Sequence, residues 1–321
     1  MKHKLRLLYI FLSTMILGFP LSLSATIPSY AFITTIENSQ VNNISGPTQF
    51  NGFEILLQNQ FSNTLSLDIT TTSQSENNTT SLSLDEIYIS YSQLPLNSTV
   101  SIGKKLVTFG KLNQMATEEK PFNDTPLAFT SLVGDGLSGD IINIHSQTPF
   151  LNLTYSLTPQ HTPSTDESTQ SYSRHSLRAE KTISFSNSNL DIGINRVWTE
   201  SSSSQGPLQS IDLSGTLQLS DSLTFHSLSE YYELSNQNSD LQKQTGYFSY
   251  VGLSIGKITV GYRYDKLSSS QTTSSQHNTV LSYTLSPFSK FKFQTSSGPT
   301  KESESTSAQL IFAIGELSSL N

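Results

Sequence analysis

From about Ile33 to Ile314, apolar residues return at every second position, in segments separated by turns that are alternately short and long. A period of two gives each segment one apolar and one polar face, which is the signature of half-buried strands and not of helices. Phe53, Ile55 and Leu57 alternate with Gly52, Glu54 and Leu56; Leu65, Leu67 and Ile69 alternate with Ser66, Asp68 and Thr70; Leu82 and Leu84 begin the next segment. The parity slips near Asp85–Glu86 before Ile87 and Ile89, which predicts a β-bulge. The same rhythm continues through Ile142–Ile144, Leu151–Leu157, Leu177–Ile183, Leu190–Ile194, Ile211–Leu219 and Leu223–Tyr232. It is clearest at the end: Tyr247–Ile255, Ile258–Tyr264, Leu281–Leu285, Phe291–Phe293 and Ala308–Ile314.

The connections sort into two sets. Tight turns fall near positions 60, 95, 148, 188, 221, 256 and 287, and longer polar loops near 43, 75, 122, 165, 203, 238, 271 and 300. One rim of short turns and one of long loops is the layout of a closed antiparallel transmembrane β-barrel. Counting Ile33–Ile36 as a first strand gives about 16 strands, within a range of roughly 14 to 18, and such a barrel encloses a wide interior. Expected as all-β, the chain carries only 13% charged residues. That is about half the ~25% usual for soluble domains, with hydroxyl and amide side chains filling the gap.

The cost of a misplaced charge assigns the faces. A lysine or arginine pointing into hydrocarbon near the midplane costs about 2–4 kcal/mol. Arg263, Lys290 and Lys292 therefore point inward, and Tyr262, Phe291 and Phe293 outward. The tyrosines and Trp198 fall near strand ends, where an aromatic girdle belongs. Of the histidines, His145, His226 and His277 lie on strands and are expected to face inward.

Residues 1–31 read as a signal peptide: Lys2, Lys4 and Arg6, then an apolar run to Leu23, then Ser29–Tyr30–Ala31 as a small-x-Ala cleavage site. Residues 32–321 are the expected barrel. No later stretch reaches the ~20 apolar residues a spanning helix needs. The last strand ends near Ile314–Gly315, with Glu316 to Asn321 beyond it.

A net charge of −7 argues against nucleic acid as a partner. The absence of cysteine suits an oxidising compartment without disulfides. No nucleophile–base pair, metal-ligand spacing or phosphate loop appears, so neither catalysis, a cofactor nor a metal is expected.

One stretch has no such rhythm. Gly110 to Gly136 is the longest connection in the chain, set between Val100–Phe109 and Ile142. The motifs around it are Leu94–Pro95, Gly103–Lys104, Phe109–Gly110, Asn113, Pro121–Phe122, Asp124–Thr125–Pro126–Leu127 and Gly136–Leu137. Together they resemble a family of bacterial outer-membrane porin-like barrels, whose members are labelled porins or zinc-regulated TonB-dependent outer-membrane proteins. Where members often carry histidine after the asparagine, this chain has Met115, Ala116 and Thr117.

The resemblance implies a location in the bacterial outer membrane and passive diffusion of small hydrophilic solutes. It also implies outer-membrane lipid as surroundings and possible assembly as a homo-oligomer, such as a trimer. Energised uptake is not expected, since the chain has no room for a plug domain plus a 22-strand barrel. It further implies that Lys111 to Asp135 folds into the barrel as a constriction, carrying Lys111, Glu118, Glu119, Lys120, Asp124 and Asp135; the other reading of this stretch is a solvated extracellular loop. Lys105, Arg174, Arg178 and Arg263 would face it from the wall, and opposed charges would filter solutes by sign. With Lys290 and Lys292, these are the candidate pore residues. Two other readings fit the same residues: a non-conducting surface barrel or secreted β-rich adhesin or binding protein, and a soluble all-β binding module.

Overall fold

A computed structural model of the chain describes residues 29–41, 44–45, 49–76, 79–115, 119–134, 136–161, 172–199, 205–236, 243–269, 272–286, 289–298 and 304–315. The wall runs through β1 (Ser29–Val41), β2 (Gln49–Gln60), β3 (Leu65–Glu76), β4 (Thr79–Leu94) and β5 (Ser98–Leu106). After a long connection come β6 (Ser138–Gln147), β7 (Asn152–His161), β8 (Tyr172–Phe185), β9 (Ser188–Thr199) and β10 (Gln205–Ser220). Then follow β11 (Leu223–Asn236), β12 (Gln244–Ile255), β13 (Ile258–Ser268), β14 (Thr273–Ser286), β15 (Ser289–Ser297) and β16 (Ser305–Gly315). A two-residue piece, Ile44–Ser45, pairs with the end of β1. Among the described residues no helix is long and apolar enough to cross a membrane.

Every strand pairs antiparallel with its neighbours in sequence, and the ring is closed. On one side β1 runs against β2, from Ser29↔Gln58 to Glu37↔Gln49. On the other it runs against β16, from Ala31↔Gly315 to Val41↔Ser305. Closure leaves no unpaired edge, which sheets of this length otherwise expose. The expected first strand, Ile33–Ile36, is the middle of a longer one. Ser29–Tyr30–Ala31, read in the sequence as a cleavage site, opens β1; residues 1–28 lie outside the described ones.

The two faces follow the parity of the sequence. On β13, Arg263 and Asp265 are fully buried on the inner face, while Val260 and Tyr262 stand about half exposed outside. On β15, Lys292 and Gln294 are inside, and Phe291 and Phe293 outside. The bulge expected near Asp85–Glu86 is present: Glu86 pairs with Thr70 and Leu84 with Thr71, so Asp85 is the extra residue. The outer surface carries a belt of Leu, Ile, Val, Phe and Tyr side chains from strand after strand.

His277 corrects the sequence reading. His145 and His226 face inward, bonded to Thr154 and Ser254. His277 faces outward, its Nδ1 2.5 Å from the Tyr262 hydroxyl and its ring 4.9 Å from that of Tyr264. It shares the parity of Thr279, Leu281 and Tyr283, so its strand settles its face. Polarity alone misplaced it, because an outward imidazole at a strand end can hydrogen-bond neighbouring tyrosines. Outside, His175 stacks on Trp198 in the same way, 5.3 Å between rings.

Candidate functional site

The connection between β5 and β6 does not stay outside the barrel. Three glycines of the motif region take the backbone through positive φ: Gly103 at 143°, Gly110 at 66° and Gly136 at 110°. A side chain is strained at such angles; Gly103 lies within β5, where a Cβ would meet the Ile87 carbonyl of the neighbouring strand, Gly110 bends the chain after β5, and Gly136 returns it to β6. Between them lie a short turn, Leu112–Gln114, and one helix, α1 (Leu127–Leu132). Asn113 pins the two ends together. Its Nδ2 donates to the Val107 carbonyl at 2.7 Å, and its Oδ1 accepts from the Leu137 amide at 3.1 Å.

The start and stop of α1 are written in the motif. Pro126, at φ −57°, is preset for a helical start and lacks an N–H that the helix could not satisfy. The first free amide, Leu127 N, lies 3.4 Å from Asp265 on the inner wall, so a wall carboxylate caps a loop helix. Gly134, at φ 77°, ends α1 with its amide on the Phe129 carbonyl.

An apolar cluster holds the loop down. Phe109, Leu112, Phe122, Ala128, Phe129 and Val133 bury themselves against inward-facing Val197, Leu208, Leu228, Tyr232, Phe248, Tyr250 and Val280. Phe122 packs edge-on to Phe248 (5.9 Å) and Tyr250 (6.1 Å), and Phe129 edge-on to Tyr232 (6.2 Å). Each such side chain contributes roughly 1.5–3 kcal/mol on burial. Two close approaches make room for this packing. A Cβ at Gly246 would lie 2.7 Å from that of Ala128, and one at Gly261 2.7 Å from Cζ of Tyr250. The wide watery interior expected from strand number is therefore occupied along β9–β14 by a packed loop.

Sequence reasoning missed this cluster, yet a signal was there. On β11 and β12 apolar residues occupy both parities: Tyr231 with Tyr232, and Tyr247, Phe248, Tyr250 and Val251 in close succession. A strand meeting oil on one face and water on the other has no use for the second set.

The predicted charged residues separate into two groups. Arg178 and Arg263 make their bidentate carboxylate contacts within the wall. Arg178 is bidentate to Asp212 of the wall, at 2.6 and 3.0 Å, and its Nε donates to Glu180 at 2.9 Å. Arg263 is bidentate to Asp265 at 2.9 and 3.0 Å, lies 4.3 Å over the Phe122 ring, and donates to the Asp124 backbone carbonyl. The Asp124 carboxylate instead accepts from Gln294 at 2.7 Å and Ser296 at 3.2 Å. Arg174 donates to the Ser138 carbonyl at 2.8 Å, and Lys105 sits 4.0 Å over the Tyr88 ring. These residues tie wall to wall or wall to loop.

The second group lines open space. Lys111, Glu119, Lys120, Lys290 and Lys292 share a cavity of ≈ 510 Å³ with Asp191, His226 and the hydroxyls of Ser254, Thr259, Ser282 and Thr284. Those hydroxyl positions lie beside the short turns at Gly256–Lys257 and the β14 end, so the cavity opens toward the short-turn rim. Lys111 bonds Asp191 at 3.2 Å, and Lys292 donates to the Lys120 carbonyl at 2.6 Å. Glu118 and Asp135 lie outside the described residues.

The protein-family models and the curated proteins return no match to this chain. Solved structures match it by shape. An anion-selective porin from Comamonas acidovorans superposes at a TM-score of 0.62 and 12% identity, covering 91% of this chain and 100% of that one. OmpT of Vibrio cholerae, an outer membrane protein in trimer form, superposes at 0.62 and 10%, covering 91% and 100%. The outer membrane channel DcaP of Acinetobacter baumannii gives 0.56 and 12%, covering 91% and 97%. At these identities the likeness establishes the fold: a closed antiparallel barrel of sixteen strands, porin-like in architecture.

Proposed function

We propose that this chain is a channel of the Gram-negative outer membrane, through which small hydrophilic solutes diffuse passively. The observation that carries the reading is the pairing of an apolar outer belt with a polar, loop-constricted interior that keeps an open cavity. Outer-membrane lipid would surround the belt. The solute path would run past Lys111, Glu119, Lys120, Lys290 and Lys292, with Lys105, Arg174, Arg178, Arg263 and Asp124 holding the constriction in shape. The reading includes export through residues 1–31 as a signal peptide, and no reaction or cofactor. It also includes a trimer, on the likeness to a neighbour solved in trimer form. Energised uptake and a zinc role are left out of it.

The test is recovery in the outer-membrane fraction with heat-modifiable migration on gels, followed by single-channel recording in a planar bilayer. Discrete conductance steps are expected. A folded, heat-modifiable barrel that leaves the bilayer silent would remove the channel function. That outcome would favour a non-conducting surface barrel or binding protein, a reading the apolar filling along β9–β14 already gives some footing.

A further inference from the structure

The cavity at the short-turn rim carries a charge sign that the whole sequence does not. Its lining includes four ammonium groups, Lys111, Lys120, Lys290 and Lys292, and two carboxylates, Glu119 and Asp191; with Glu180, 3.9 Å from Lys111 just beyond the lining, four less three leaves an excess of one positive charge. The chain as a whole has a net charge of −7. The difference arises from where the fold puts its acids. Asp212 and Asp265 are fully buried in the wall and held by Arg178 and Arg263. Glu230 is buried beneath the loop, accepting from the Leu112 amide and the Tyr232 hydroxyl. None of these three lines the cavity.

Lys290 is placed to act on a passing solute, while Lys292, fully buried, adds its charge from beneath the lining. Lys290 and Lys292 stand two apart on β15, so both project inward on one face. Lys292 donates to the Lys120 carbonyl, which ties the loop to β15. The walls between them are hydroxyl-rich, which suits an ion that keeps part of its hydration. Within a narrow low-dielectric passage, a cluster of cations on one wall concentrates anions and repels cations. Across the barrel, Asp68 and Glu86 point inward on β3 and β4 and are engaged by Gln58 and the Leu106 amide. They put acids on the wall opposite the lysines: Asp68 is the fourth residue of β3 after its short turn, as Lys292 is of β15.

We infer that this rim selects small anions over small cations. The inference rests on the channel function proposed above. The experiment is the reversal potential of full-length protein in a planar bilayer under a potassium chloride gradient. The expected result is a potential of the sign set by chloride permeation. Lys290→Glu should cut the chloride-to-potassium permeability ratio several-fold or invert it. Lys243→Glu, on a long loop and paired with Glu233 far from the rim, should leave it unchanged. If Lys290→Glu fails to give heat-modifiable protein, Lys290→Gln is read by the same criterion, with a smaller fall. A potassium-selective wild type, or a conducting Lys290 variant with unaltered selectivity, would overturn the inference while leaving the channel function standing. A folded protein that does not conduct would overturn the channel function itself.

Discussion

The guanidinium of Arg263 reaches the backbone carbonyl of Asp124 at 2.6 Å, joining the inner wall to the tip of a loop 139 residues away in sequence. The same group is bidentate to Asp265, which in turn caps α1. One wall arginine thus sets the position of two parts of the constriction.

Arg263→Met should release the loop. It leaves Asp265 buried without its partner, and breaking one side of a buried ion pair costs about 3–5 kcal/mol. The expected outcomes are a lower temperature for the gel shift on heating and new trypsin cleavage at Lys111 and Lys120. Arg263→Met with Asp265→Leu should recover most of the stability, since a buried pair replaced by apolar side chains is often neutral. An Arg263→Met protein that melts and resists trypsin as the wild type does would disprove this arrangement.

Gly261→Ala should disturb the loop through Tyr250. The new methyl enters space held by the tyrosine ring, which supports Phe122. Overpacking of this kind costs typically 1–3 kcal/mol. In a Tyr250→Leu background the glycine change should cost much less, so the two substitutions are non-additive. Urea unfolding in detergent measures the cycle; strict additivity would show that the ring and the glycine do not compete.

The outer belt predicts a sharp contrast between adjacent positions on β13. Val260→Lys turns a charge outward and should lower stability by about 2–4 kcal/mol if the belt meets hydrocarbon. Thr259→Lys points into the cavity and should fold normally. Equal yields of folded protein in lipid vesicles would mean that the belt faces water.

Selectivity at the lysine-lined rim should weaken with ionic strength. The Debye length falls from ~10 Å at 0.1 M salt to ~3 Å at 1 M. The chloride-to-potassium ratio should therefore approach unity across that range. A ratio that stays constant would point to size, not charge, as the filter.

The wall was legible because its physics is local. Alternate residues on a strand take opposite faces, so Tyr262 and Arg263 declare their environments without reference to anything distant. The bulge at Asp85 showed for the same reason. The loop's interior position could be expected only by resemblance, because nothing near Phe122 in the sequence points to Phe248 or Tyr250. Arg178 finds its bidentate partner Asp212 two strands away, from β8 to β10, a pairing that no local pattern announces. His277 was misplaced because a hydrogen-bonding tyrosine on the next strand makes an outward imidazole tolerable.

The seam between β1 and β16 has a consequence for biogenesis. The ring cannot close until the final strand has emerged and found the first, a pairing of Phe32 with Ile314 across nearly the whole chain. Until then two long strand edges stand open, and pairings this remote in sequence form slowly. Aromatic groups destined for the inside must be stowed before that zipper shuts, because afterwards the wall bars their entry from the side. A chaperone that shields the open edges would thus also set the time available for the loop to find its seat.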